Sequence, residues 1–178
     1  MNRLHCVVVV ALLGAAACAP DEEPRVEPID DPDQQPQVVS QAADTTAASL
    51  WAHLQRENYR TWPLYPGKGE LYTGTEPHGM LLTTYVNRIA HDALSNGAGS
   101  MPAGAIIVKE NYMPDSTFDA ATVMHKVPGY NPQNGDWFWV KYDANGVAEE
   151  GAGRAAMCQQ CHAAARPRDF LMTAQQGN

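Results

Sequence analysis

Leu50 and Leu54, with Trp51 beside them, recur at helical spacing, while Gln55, Arg56 and Glu57 fill the opposite side. This predicts an amphipathic helix from about Thr46 to Tyr59. Trp62-Pro63 ends it, because proline pushes the residue before it out of helical geometry. From Pro63 to Gly79 the pattern dissolves into prolines and glycines with Tyr65 and Tyr72 interleaved, an irregular passage of the kind that carries function. Met80 to Val86 then reads as a strand and Asn87 to Leu94 as a short helix with Ile89, Ala90 and Leu94 inward. Three further strands follow at Gly104–Glu110, Ala121–Val127 and Trp137–Tyr142, punctuated by Pro128-Gly129, Asn134-Gly135 and Asn145-Gly146. Helical spacing returns from Arg154 through Cys161, with another helical turn near Phe170 to Thr173.

This order predicts an α+β fold: a small antiparallel sheet, helices before it, and a last helix carrying a cysteine motif. No internal repeat is visible. Alternation along the second strand places Lys109 on the face of Ala105 and Ile107 and sends Glu110 to the other. If the Lys109 face is the core face, its amine sits against buried surface. The plainer expectation is a strand-end lysine that reaches water or a carboxylate. Alternation likewise puts His125 and Lys126 on opposite faces, so that one of them faces solvent.

The chain ends change what counts as domain. Residues 1–17 read as a signal peptide, with Arg3 ahead of the apolar run Val7–Leu13, which is too short to span a bilayer. Export to the periplasm or cell envelope is expected. Ala15-Ala16-Ala17-Cys18 fits lipoprotein processing, which would leave Cys18 as a lipid anchor; ordinary cleavage nearby is the alternative. Residues 18–45 are acidic and proline-rich without periodicity and read as a disordered tether, leaving 46–178 as the folded domain. The net charge is −8, yet seven of the twenty acids lie between Asp21 and Asp33, so the body is mildly acidic. Nucleic acid is not an expected partner.

Cys6 falls in the signal, so the domain retains Cys158 and Cys161, and a disulfide framework is excluded. Cys158-Gln159-Gln160-Cys161-His162 is the spacing that attaches one covalent haem c: cysteines three apart share a helix face, and the adjacent histidine ligates iron. A thioredoxin-like pair would sit early on a helix within a βαβ pattern, and a zinc site would need further close ligands. The sequence offers neither. Whether iron carries a sixth protein ligand is open, with His53, His78, His91 and His125 available. Met80, Met101, Met113, Met124, Met157 and Met172 are also available, although methionine mostly fills cores. His78, in Pro77-His78-Gly79, is the candidate distal residue; a turn histidine bonded to backbone is the plainer reading.

Pro77-His78-Gly79, Tyr85-Val86-Asn87, Gly104 to Glu110, Val123-Met124, Gly135 to Trp139 and Cys158 to His162, in this order, resemble the cytochrome P-460 family over about residues 50–173. The resemblance implies a mainly antiparallel β fold with accessory helices, commonly as a homodimer. It implies five-coordinate iron with His162 proximal and an open face that takes hydroxylamine or nitric oxide. In the hydroxylamine-oxidising members a lysine is joined to the porphyrin edge, and Lys109 holds the matching position; electrons would leave to a partner cytochrome. The related cytochromes c′-beta keep the fold, lack the cross-link and bind gases. This chain departs from the oxidising members: Leu82 stands near an expected arginine, and Ala121–Met124 offers no distal carboxylate. Weaker proton removal follows, which leaves an oxidoreductase, a gas-binding protein and a six-coordinate electron carrier as the alternatives.

Overall fold

A computed structural model describes residues 45–149 and 151–173. The signal segment, nearly all of the tether and Cys18 lie outside the described residues.

Helix α1 (Ala47–Arg56) begins where the Thr46 and Ser49 side chains each accept the other's backbone N–H, at 3.1 and 2.9 Å. Leu50 and Leu54 are its buried face. Complete burial of one such leucine contributes about 1.5–3 kcal/mol. The helix stops before Tyr59 because Asn58 turns left-handed, and Tyr59–Thr61 closes as a 3-10 turn.

The sheet is a simple antiparallel meander in the order β1 (Tyr72–Thr73), β2 (Leu81–Val86), β3 (Ile106–Tyr112), β4 (Phe118–Lys126) and β5 (Trp137–Asp143). Helix α2 (Arg88–Ser95) connects β2 to β3 and is capped by Asn87, whose side chain accepts the Ala90 N–H at 3.0 Å. Helix α3 (Ala156–His162) follows β5 and runs into a 3-10 segment, Ala163–Arg168. The expected α+β architecture is observed.

Both sheet faces are covered. One packs Tyr85, Val108, Val123, Val140 and Tyr142 against Leu50, Leu54 and Tyr59. The other packs Val86, Ile107, Met124, Trp137 and Trp139 against α2, Met101 and Phe170. Strand pairing aligns Thr84, Lys109, Thr122 and Lys141 in one row on this second face.

Four local expectations change. Ile89, expected inward, is exposed on α2, because Ala93 takes the buried position beside Ala90 and Leu94. The last helix begins at Ala156 rather than Arg154, because Gly153 exchanges backbone hydrogen bonds with Trp139 and continues the sheet. The turn expected at Phe170–Thr173 lies earlier, since Asp169 and Phe170 both take left-handed backbone and terminate the 3-10 segment. Neither His125 nor Lys126 is solvent-facing: both are half-buried, and the Lys126 ammonium is tied to Asp169.

Candidate haem pocket

The Thr84–Lys109–Thr122–Lys141 row faces a cavity of about 730 Å³ walled on its far side by α3. That volume falls within the roughly 300–1,000 Å³ typical of cofactor sites. Cys158, Cys161, His162, Lys109 and His78 all line it. These five meet in one place, whereas the other histidine candidates, His53, His91 and His125, do not line the cavity.

Each wall is set by its local chain. One helical turn puts Cys158 and Cys161, both free thiols, on the side of α3 that meets the cavity. Burial pushes the Cys158 thiol up, so it stands protonated. His162 is buried at the end of the helix and its Nδ1 donates to the Phe170 carbonyl at 2.7 Å. That bond fixes the tautomer and leaves Nε2 with a free lone pair, the arrangement of a metal-ligating histidine. The Trp139 ring packs 4.8 Å from the imidazole, at 64°.

His78 comes from the β1–β2 hairpin loop, which the Gly74 N–H closes on the Met80 carbonyl at 2.8 Å. Gly74 has no room for a side chain: a Cβ there would stand 2.3 Å from the Gly79 carbonyl oxygen. The loop turns the His78 ring into the cavity, where Nδ1 meets Thr122 Oγ1 at 3.3 Å. Its partner is therefore a side chain and not backbone as the plainer sequence reading had it. The His78 and His162 ring centres lie 6.1 Å apart, with planes at 88°. Burial first, then the neighbouring Lys109 charge, lowers His78 to about 3, and the imidazole is neutral.

Lys109 is half-buried on the cavity face, as alternation predicts, and burial together with Lys68 lowers its pKa. A larger share of neutral amine follows. Glu149 is the cavity's carboxylate among the described lining residues, and it is paired with Lys141 at 2.7 Å. Of the methionines, Met124, Met157 and Met172 line the cavity, Met101 is core, and Met80 and Met113 are exposed. Thr84, Thr122, Trp139 and Lys141 escaped the sequence reading. The signal for three of them was the Lys109 row, which requires strand register to read.

A cofactor-sized cavity between an antiparallel sheet and a helix bearing Cys-x-x-Cys-His defines a haem c domain, and its donor set fits that group: two free thiols on one turn, and a histidine with Nε2 free. Residues 56–173 match the family Cytochrome P460, and the chain belongs to that family. The family implies haem c as cofactor. No curated protein matches the chain.

Proposed function

We propose that this is an exported mono-haem cytochrome that binds a small nitrogen oxide, nitric oxide or hydroxylamine, at the haem face opposite His162. The supporting observation is the cavity itself, with Cys158, Cys161 and His162 on one wall and His78, Thr122 and Lys109 on the other. Cys158 and Cys161 would hold the porphyrin through thioether bonds, and His162 Nε2 would ligate iron. Haem supplies the ligand-binding iron and the one-electron chemistry. The chain supplies orientation through Trp139, a hydrogen-bonding distal edge through Thr122 and His78, and an amine at Lys109 that the family's oxidising members join to the ring. Export, the Cys18 anchor and a partner cytochrome belong to this proposal as well.

The distal wall favours nitric oxide over hydroxylamine oxidation. Oxidation needs a base to take protons from bound substrate, a contribution of roughly 10²–10⁴ in rate. His78 is held too weakly basic for that role, and Glu149 is engaged by Lys141. Nitric oxide requires no proton removal.

A second reading rests on the two imidazoles. Their 6.1 Å separation matches two rings sharing one metal at bonds of about 2 Å each. Thr122 Oγ1 also donates to the Lys109 carbonyl at 3.3 Å, so His78 Nδ1 donates to it and Nε2 keeps its lone pair. His78 would then be a sixth ligand and the protein an electron carrier.

Optical titration of the purified ferrous protein with nitric oxide, alongside His78→Ala, separates these. Ready binding by the parent, with a five-coordinate starting spectrum, supports the first reading. A sharp low-spin spectrum that becomes high-spin only in His78→Ala supports the second. Absence of any haem sinks both.

A further inference from the structure

We propose that Lys126 and Asp169 are positioning residues for the iron ligand, forming a clamp that sets the hydrogen bond His162 Nδ1 donates to the Phe170 carbonyl and thereby the reduction potential. The inference rests on the assignment of His162 as proximal ligand.

The Phe170 carbonyl reaches His162 from an unusual piece of chain. Asp169 and Phe170 take φ values of 52° and 66°, a left-handed pair with no glycine in it. Such backbone persists only where its surroundings fix it. The Asp169 carboxylate accepts Lys126 Nζ at 2.7 and 2.8 Å, on its two oxygens, and the Met101 N–H at 2.6 Å. Its own carbonyl accepts the Trp137 indole N–H at 2.9 Å. Lys126 lies 4.8 Å from the centre of the Trp137 ring, so a cation–π contact holds it from the other side.

These side chains of the pair are 13% and 8% exposed, which sets the contact apart from the solvent-facing pairs Arg88–Asp92 and Lys141–Glu149. Water screens it little. Its effect is to pin the turn at Asp169–Phe170 to β4, β5 and the loop before β3 together. One residue beyond the pinned carboxylate is the carbonyl that orients His162.

A carbonyl accepting the Nδ1 proton gives the imidazole partial imidazolate character and raises its basicity toward a metal. A more basic ligand favours ferric over ferrous iron. Releasing the clamp lets the left-handed pair relax and lengthens that bond, so the potential rises and the iron–histidine bond weakens.

The test uses the full haem-loaded protein. The double variant Lys126→Met with Asp169→Asn removes both charges and leaves none stranded in the interior; Lys126→Arg is the conservative variant and Asp92→Asn the exposed-pair control. Redox titration and ferrous resonance Raman are measured on each, with thermal unfolding alongside. The clamp predicts a higher potential and a lower iron–histidine stretching frequency in the double variant, parental values in Asp92→Asn, and restoration toward parental values in Lys126→Arg. A double variant that loses thermal stability while keeping potential and frequency unchanged overturns the inference, leaving the pair purely structural. Should the double variant fail to fold, the same two readouts on Asp169→Asn alone decide the matter. Haem attached but not ligated by His162 would fail the underlying assignment instead, and appears as a missing iron–histidine band in the parent.

Discussion

Lys109 and Glu110 are chain neighbours whose side chains leave the sheet in opposite directions, one into the cavity and the other into a polar knot open to solvent only through Arg60. Glu110 is 0% exposed and accepts Tyr59 Oη at 2.6 Å and Arg60 Nε at 2.7 Å, with Tyr112 Oη as a third donor. Replacing it by leucine strands those donors. We expect Glu110→Leu to lower stability by about 3 kcal/mol in denaturant unfolding while the optical spectrum stays parental, because the knot and the cavity lie on different faces.

Cys158 and Cys161 are the proposed points of haem attachment. In Cys158→Ser with Cys161→Ser, haem is expected to separate from the polypeptide on a denaturing gel, and the intact mass should equal that of the bare chain. Single variants should keep one thioether and a shifted reduced spectrum. A double variant that still carries covalent haem would locate the attachment elsewhere.

For Lys109 the expectation concerns its amine. Burial lowers its pKa and so raises the share of neutral, nucleophilic amine, and it stands on the cavity wall. Lys109→Ala should abolish any red-shifted reduced Soret band and leave the mass of haem attachment through cysteine intact. Identical reduced spectra for parent and variant exclude a cross-link.

His125 makes stability depend on pH. Burial, with a smaller push from His53, lowers its pKa from 6.5 to about 4, and its Nδ1 is buried without a partner among the described residues. Between those values the unfolded chain binds a proton that the folded one refuses, so stability falls as pH drops from 6.5 towards 4. The slope from one such group is at most about 1.4 kcal/mol per pH unit. His125→Gln should flatten that limb in unfolding curves collected across the window; an unchanged slope assigns the acid sensitivity to other groups.

Much of this was legible in the residues. Alternation found Lys109's face from Ala105 and Ile107 alone, and the Cys158–His162 spacing named the cofactor. The His78 environment was not legible, since its partner Thr122 lies forty-four positions away in sequence and only strand register brings them together. Asp169 was missed for a related reason: nothing local marks an aspartate that works by pairing with β4, and the left-handed pair after Arg168 reads in sequence as ordinary helix. Glu110 was placed on the correct face, but its burial depended on donors from the turn after α1, which no periodicity reveals.

His162 is the one buried residue of helix α3, and Cys158 is half-buried beside it. A seven-residue helix without an N-terminal side-chain cap has little tendency to form on its own, and beyond the contact of His162 with Trp139 much of its inward surface meets the cavity. In the proposed reading the porphyrin would be the apolar filling of this end of the domain. Acquiring the cofactor and completing the fold become one event, and a chain denied haem should keep its meander while its C-terminal helix melts.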